Sequence, residues 1–118
     1  MNLGLSAEQQ ALRQSASDFL QRECPPTLVR ELQAPLSSGH SPELWRKMAA
    51  LGWLGLVFPA AYGGAGASLL DLAILYEQAG RALVPTTLYS TIAGGLAVLN
   101  AGNEAQKEVI LPRLAAGE

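Results

Sequence analysis

The sequence is poor in the residues from which most catalytic and metal centres are built. It has a single cysteine, Cys24, and a single histidine, His40, in 118 residues. No disulfide can therefore form within the chain, and no imidazole and thiolate cluster can be assembled. Charged residues make up 15% of the chain and aromatic ones 6%. The 8 lysines and arginines are dispersed and the net charge is −2, which leaves no basic footprint for nucleic acid. The first residues lack the basic and apolar blocks of a secretory leader, and a cytoplasmic protein is the simplest reading. What the chain does have is aliphatic and small: 49% is hydrophobic and 12 residues are glycine, a composition suited to closely packed helices. One domain with a real core is expected at this length.

The stretch from Leu56 to Arg81 organises the rest. An apolar run from Trp53 to Phe58 is stopped by Pro59, and a turn follows through Tyr62-Gly63-Gly64-Ala65-Gly66, where glycine permits backbone angles that a side chain would forbid. Ser68 and Asp71 then form a Ser-x-x-Asp helix start. The pattern predicts a helix from Leu69 to about Ala82, apolar on nearly every side of its first turns and so surrounded by protein. The run Trp53 to Phe58, between Gly52 and Pro59, is too short for a useful helix and is expected as an extended connection through the core.

To its N-terminal side, Ser6 and Gln9 make a capping box for a helix from about Ala7 to Arg22, with Leu12, Ala16, Phe19 and Leu20 as its apolar face. Pro25-Pro26 ends it, and a short helix follows from Pro26 to about Leu32. Ser41-Pro42-Glu43 starts another, with Leu44, Met48 and Leu51 inward, Trp45 at the edge and Gly52 as its stop. To the C-terminal side, Ala82 to Asn103 holds no charged residue, a length that could span a bilayer. Pro85, the Thr and Ser residues, Gly94-Gly95 and the lack of flanking Lys or Arg clusters favour a buried helix from about Thr86 to Asn100. Leu88, Ile92, Leu96 and Leu99 form its face. Two mid-helix glycines cost about 1 kcal/mol each, so either a neighbouring helix backbone approaches closely or a ligand needs the room. Asn103 caps a last helix from Glu104 through Ile110, which Pro112 is expected to break or bend.

Composition and spacing alone identify no catalytic centre. His40 lies in a Ser/Gly-rich loop without neighbouring ligands, and Cys24 sits beside two prolines, so a surface imidazole and an inert thiol are the simpler readings. Glu77 and Arg81 have ion-pair spacing, which suggests a structural pair or a solvated acid. The glycine turn lacks the Lys-Ser/Thr of a phosphate loop and the complete dinucleotide fingerprint, so tight packing explains it better than a phosphate cradle.

The motifs are more informative together. Trp53-Leu54-Gly55-Leu56 with Pro59, then Tyr62-Gly63-Gly64-x-Gly66-x-Ser68-x-x-Asp71, then Glu77 and Gly80-Arg81-Ala82, resemble the N-terminal helical domain of the acyl-CoA dehydrogenase family. Leu5-Ser6-x-Glu8-Gln9 is similar to the family's opening helix. Ala101-Gly102-Asn103-Glu104-x-Gln106-Lys107, with Leu111-Pro112-x-Leu114-x-x-Gly117-Glu118, is similar to the close of that domain.

The resemblance implies an all-α orthogonal bundle of about five or six helices over residues 1–118, with the family's middle β domain and C-terminal helical bundle absent from this chain. It implies FAD as the cofactor of the complete enzyme, an acyl-CoA substrate dehydrogenated between its α and β carbons, an electron-transfer flavoprotein as electron acceptor, and a homo- or hetero-oligomer. The catalytic glutamate and most flavin contacts would lie outside the chain, so the chain alone should be inactive and no residue here is assigned as catalytic or metal-binding. Matching backwards from Ala101-Gly102-Asn103, the resemblance puts substrate-facing positions at Thr86, Tyr89, Ser90 and Ala93. Two rival readings are a non-catalytic helical partner or interaction module, and the N-terminal domain of an acyl-CoA oxidase or flavin monooxygenase. An isolated domain of this kind should expose apolar surface that its missing neighbours would cover.

Overall fold

The helices begin where the capping residues place them. In the computed structural model, which describes residues 3–118, these are α1 (Ala7–Glu23), α2 (Pro26–Leu32), α3 (Pro42–Ala50), α4 (Leu69–Arg81), α5 (Leu88–Ala101) and α6 (Glu104–Ala116), with a 3₁₀ turn at Ala60–Tyr62. No strand occurs among the described residues. Ser6, Ser68 and Asn103 close reciprocal capping boxes with Gln9, Asp71 and Gln106, and Ser41 accepts from the Leu44 N–H. Each box satisfies backbone donors that a helix start otherwise leaves unpaired. Gly52 follows the end of α3 in the left-handed region, with φ 79°.

The core has two parts. α1, α2 and α3 bury Ala16, Phe19, Leu20, Val29, Leu44 and Met48 around Trp53 and Leu75. On the other side, α5 and α6 bury Leu88, Ile92 and Leu111 against Leu54, Val57, Phe58 and Leu72. α4 and the segment from Trp53 to Phe58 contribute to both parts and join them. α1 packs along α4, and α5 along α6. Trp45 is half-buried at the edge of α3, its Nε1 donating to the Gly117 carbonyl at 2.9 Å.

Several expectations need correction. Trp53 to Phe58 threads the core, but as successive turns instead of an extended strand: the Leu56 N–H bonds Trp53 O and the Phe58 N–H bonds Gly55 O. Six extended residues would reach about 20 Å, whereas the folded turns aim Trp53 into one part of the core and Leu54, Val57 and Phe58 into the other. The last helix continues through Pro112 to Ala116. The proline forfeits one hydrogen bond, yet fully buried Leu111 and the packed Leu114 and Ala115 hold the following turn in place. α5 starts at Leu88 and leaves Thr86 just outside it. α4 is not enclosed: Leu69 and Leu70 in its first turn are 68% and 52% exposed, and Ala73 is exposed as well.

The Gly94-Gly95 pair resolves into two different cases. A Cβ on Gly95 would fall within the ring of Phe58, which is fully buried. At Gly94 nothing stands within 4 Å. The close approach is therefore by an aromatic ring from the turn segment, not by a helix backbone.

Candidate functional site

α5 has one face in the core and one turned away from it. Leu88, Ile92 and Gly95 are buried, while Tyr89, Ser90, Ala93 and Gly94 are exposed. Thr86 stands half-buried ahead of the helix, where its Oγ1 accepts from the Leu88 N–H at 3.3 Å. Ser90 Oγ donates to the Thr87 carbonyl at 3.1 Å. The structure thus places Tyr89, Ser90 and Ala93 on one open strip of α5, with Thr86 near its start.

Tyr89 is the large group of that strip and is 70% exposed. Its ring meets that of Tyr76 on α4, with centroids 5.3 Å apart and planes tilted by 44°. The Tyr76 hydroxyl also reaches the Tyr89 carbonyl at 3.4 Å. Burial and the neighbouring phenol raise the pKa of Tyr76 above its ordinary value, so it remains a neutral donor at physiological pH. The tyrosine pair connects the open strip of α5 to the exposed residues Leu69 and Ala73 of α4, which lie seven and three positions before Tyr76 on its side of the helix. The result is a largely apolar surface carrying a few hydroxyls. Sequence spacing did not reveal Tyr76 as part of it, because the contact crosses between two helices and follows no helical period.

The other candidates find structural roles. The backbone N–H groups of Gly63, Gly64, Ala65, Gly66 and Ala67 bond the carbonyls of Ala60, Pro59, Gly55, Phe58 and Leu56 in turn. The Ser68 N–H bonds the Asp71 carboxylate at 2.8 Å. With every donor engaged, this turn does not fit the phosphates of a flavin dinucleotide, and no step is assigned to FAD through these residues. Tyr62 donates its hydroxyl to Glu104 at 2.8 Å, fastening the turn to the start of α6. Cys24 is buried, and loss of solvent pushes its thiol pKa up, away from the reactive thiolate. His40 lies 6.2 Å from the Trp45 ring in an edge-on arrangement. Among the described residues no group of His, Cys, Asp and Glu is placed to hold a metal ion. Glu77 is exposed and makes no ion pair with Arg81 among those residues, so the solvated acid is the reading that stands. Nor is any helix among them long and apolar enough to cross a membrane.

The fold has counterparts among known proteins. Residues 6–118 match the family model described as acyl-CoA dehydrogenase, N-terminal domain. The mitochondrial isovaleryl-CoA dehydrogenase of Pongo abelii is 37% identical over 119 aligned residues, covering 98% of this chain and 28% of that relative. A chain of the ChsE4-ChsE5 complex from Mycobacterium tuberculosis superposes with a TM-score of 0.82 at 29% identity, over 99% of this chain and 30% of that one. An acyl-CoA dehydrogenase from Bacillus anthracis, solved in complex with FAD, gives a TM-score of 0.77 at 29% identity over 96% of this chain and 19% of its own. The chain spans less than a third of the length of each of these proteins.

Proposed function

This chain belongs to the acyl-CoA dehydrogenase family, as its N-terminal domain, and from that premise we propose that it supplies one wall of the acyl pocket in a FAD-dependent enzyme that dehydrogenates an acyl thioester. The observation that carries the proposal is the open strip of α5, where Tyr89, Ser90 and Ala93 face away from the core with Thr86 at its start. Small and hydroxyl-bearing side chains leave the helix surface close to whatever lies against it. An acyl chain laid there gains about 0.8 kcal/mol for each methylene it buries. Tyr89, braced by Tyr76, is the bulky member and the natural limit on chain length or shape.

FAD, which the family resemblance assigns to the complete enzyme, would supply a hydride acceptor there. This chain's own contribution is to position the acyl chain and keep water from it. The same proposal includes a homo- or hetero-oligomeric enzyme and an electron-transfer flavoprotein as the acceptor, both resting on the family resemblance, and it keeps the cytoplasmic setting read from the sequence. The dehydrogenase reading is preferred to the oxidase and monooxygenase ones because the relatives matched here are named dehydrogenases.

The experiment is a chain-length profile of the complete enzyme carrying Ala93→Phe or Tyr89→Ala. Ala93→Phe should lower kcat/KM for the longest acyl-CoA accepted by about tenfold or more relative to the shortest, a discrimination of a few methylenes, and Tyr89→Ala should shift the preference towards longer or broader chains. Profiles unchanged by both substitutions would remove α5 from the pocket. The 118-residue chain alone should neither retain stoichiometric FAD nor oxidise acyl-CoA.

A further inference from the structure

Tyr89 carries a side chain that α5 alone does not hold in place. It is 70% exposed, and its neighbour one turn on along the same side, Ala93, offers only a methyl group. A tyrosine in a helix has two accessible χ1 wells, at about 180° and about −60°, because the third drives the ring into the preceding turn. Those wells swing the phenol to different places over the helix surface. A free Tyr89 would therefore present no fixed edge to a group lying on the strip.

The group that fixes it comes from α4. The Tyr76 ring meets the Tyr89 ring with centroids 5.3 Å apart, and the Tyr76 hydroxyl donates to the Tyr89 carbonyl at 3.4 Å. This is the one hydrogen bond from α4 to α5 among the described residues. Tyr76 is itself half-buried and packs against the part of the core that holds Leu72, Leu88 and Ile92, so it is the stiffer partner of the pair. The hydroxyl also acts on a backbone that has few local constraints. α1, α3, α4 and α6 begin with a side-chain bond from the N-cap residue, whereas Thr87 at the start of α5 makes none. An aromatic contact of this kind favours one arrangement by about two- to twelvefold in population, enough for one rotamer to predominate.

We infer that Tyr76 is a positioning residue for acyl selectivity: it holds Tyr89 in the rotamer that meets it and so turns a mobile phenol into a fixed limit on the acyl chain. The inference rests on the acyl-wall reading of α5. Tyr76 acts through Tyr89 and is not a separate wall of the pocket, and its ring carries more of the effect than its long hydroxyl bond.

The test joins a selectivity profile of the complete enzyme to a rotamer measurement on the 118-residue chain. Tyr76→Ala should raise the kcat/KM ratio of long over short acyl-CoAs by about threefold or more, mainly through KM and in the same direction as Tyr89→Ala. Tyr76→Phe keeps the ring and should keep the parent's ratio, and Tyr76→Ala added to Tyr89→Ala should shift it no further. Should the alanine variant not fold, Tyr76→Leu retains apolar bulk without the ring and takes its place. In the isolated chain, three-bond NMR couplings of Tyr89 should report one predominant rotamer in the parent and in Tyr76→Phe, and averaged values in Tyr76→Ala. Loss of activity equal for all chain lengths would make Tyr76 merely structural and overturn the inference. So would unaveraged Tyr89 couplings in Tyr76→Ala, a phenylalanine variant that behaves like alanine, or a further shift in the double variant, which would make Tyr76 a wall of its own. A profile moved by Tyr89→Ala but not by Tyr76→Ala overturns the role of Tyr76 and leaves the acyl wall standing. A profile unmoved by Tyr89→Ala removes the wall, and the selectivity role with it, while the couplings still report the brace.

Discussion

Gly94 and Gly95 are neighbours in α5 and should respond to the same substitution in opposite ways. A methyl group at Gly95 collides with the ring of Phe58, and that ring is fully buried among the residues that join α5 to α6, with little room to retreat. Gly95→Ala should therefore destabilise the chain by about 1–3 kcal/mol, the usual cost of overpacking. At Gly94 nothing lies within 4 Å of the new methyl, and Gly94→Ala should stabilise by up to about 1 kcal/mol through helix propensity. Urea midpoints of the two variants decide it, and shifts of the same sign would contradict the account. The sequence shows that two glycines inside a helix need a reason. It does not show that the reason is an aromatic ring 37 positions earlier, because no local period links Phe58 to Gly95.

At the level of the element, α4 carries the arrangement, and its two ends are fixed in different ways. The Asp71 carboxylate accepts from the Ser68 N–H and hydroxyl, each at 2.8 Å, and from Gln9 Nε2 on α1 at 3.2 Å. The Ser68 backbone bond first, then its hydroxyl and Gln9, hold the Asp71 pKa below its usual value. A carboxylate with a depressed folded pKa stabilises the fold above its unfolded value, about 3.9, and that contribution is lost as pH falls through the folded pKa. Stability should therefore drop on acidification below about pH 4, and Asp71→Asn should flatten that limb when thermal midpoints are followed against pH. An acid limb as steep as the parent's would assign it to other carboxylates, with Glu23, held down by Lys47, and Glu104, held down by Tyr62, as the next to test. At the far end, Leu83→Gly removes left-handed strain and should stabilise by roughly 0.5–1 kcal/mol after the added freedom of the unfolded chain is counted. Thermal midpoints of Leu83→Gly and the parent read the shift, and a lower midpoint for the variant would show that the left-handed strain at Leu83 is smaller than the added freedom of glycine.

Those two ends also show what could be anticipated. Ser6, Ser41, Ser68 and Asn103 act within three residues of themselves, so the helix starts they set were legible. The turns from Trp53 to Phe58 depend on side chains reaching two parts of the core at once, and the helix running through Pro112 depends on Leu111, Leu114 and Ala115 packing into one of them; local propensity carries no record of either. For the candidate site, the strip on α5 followed from the family resemblance, whereas the brace at Tyr76 required the packing of separate helices.

The molecule as a whole is flatter and more exposed than its length calls for. Its extents are 41 × 39 × 19 Å and its radius of gyration is 15.0 Å, against about 13.5 Å for a compact domain of this size. Its accessible surface of 7147 Å² exceeds by about 1,000 Å² the roughly 6,100 Å² typical of a monomer of this mass. That excess is comparable to one side of a standard protein interface, about 800 Å². The exposed large apolar side chains include Leu69 and Leu70 in the first turn of α4 and Tyr89 on α5. A slab with an exposed apolar face fits the place proposed for this domain against other parts of an enzyme, and left uncovered the face should find itself. The isolated chain is expected to associate as its concentration rises, and replacing Leu69 with Gln together with Leu70→Lys should return it to monomer while leaving its helical content intact. Sedimentation velocity over a hundredfold concentration range reads this directly. A parent chain monomeric throughout would mean that the open face is already stable in water, and the excess surface would then have to be explained by shape alone.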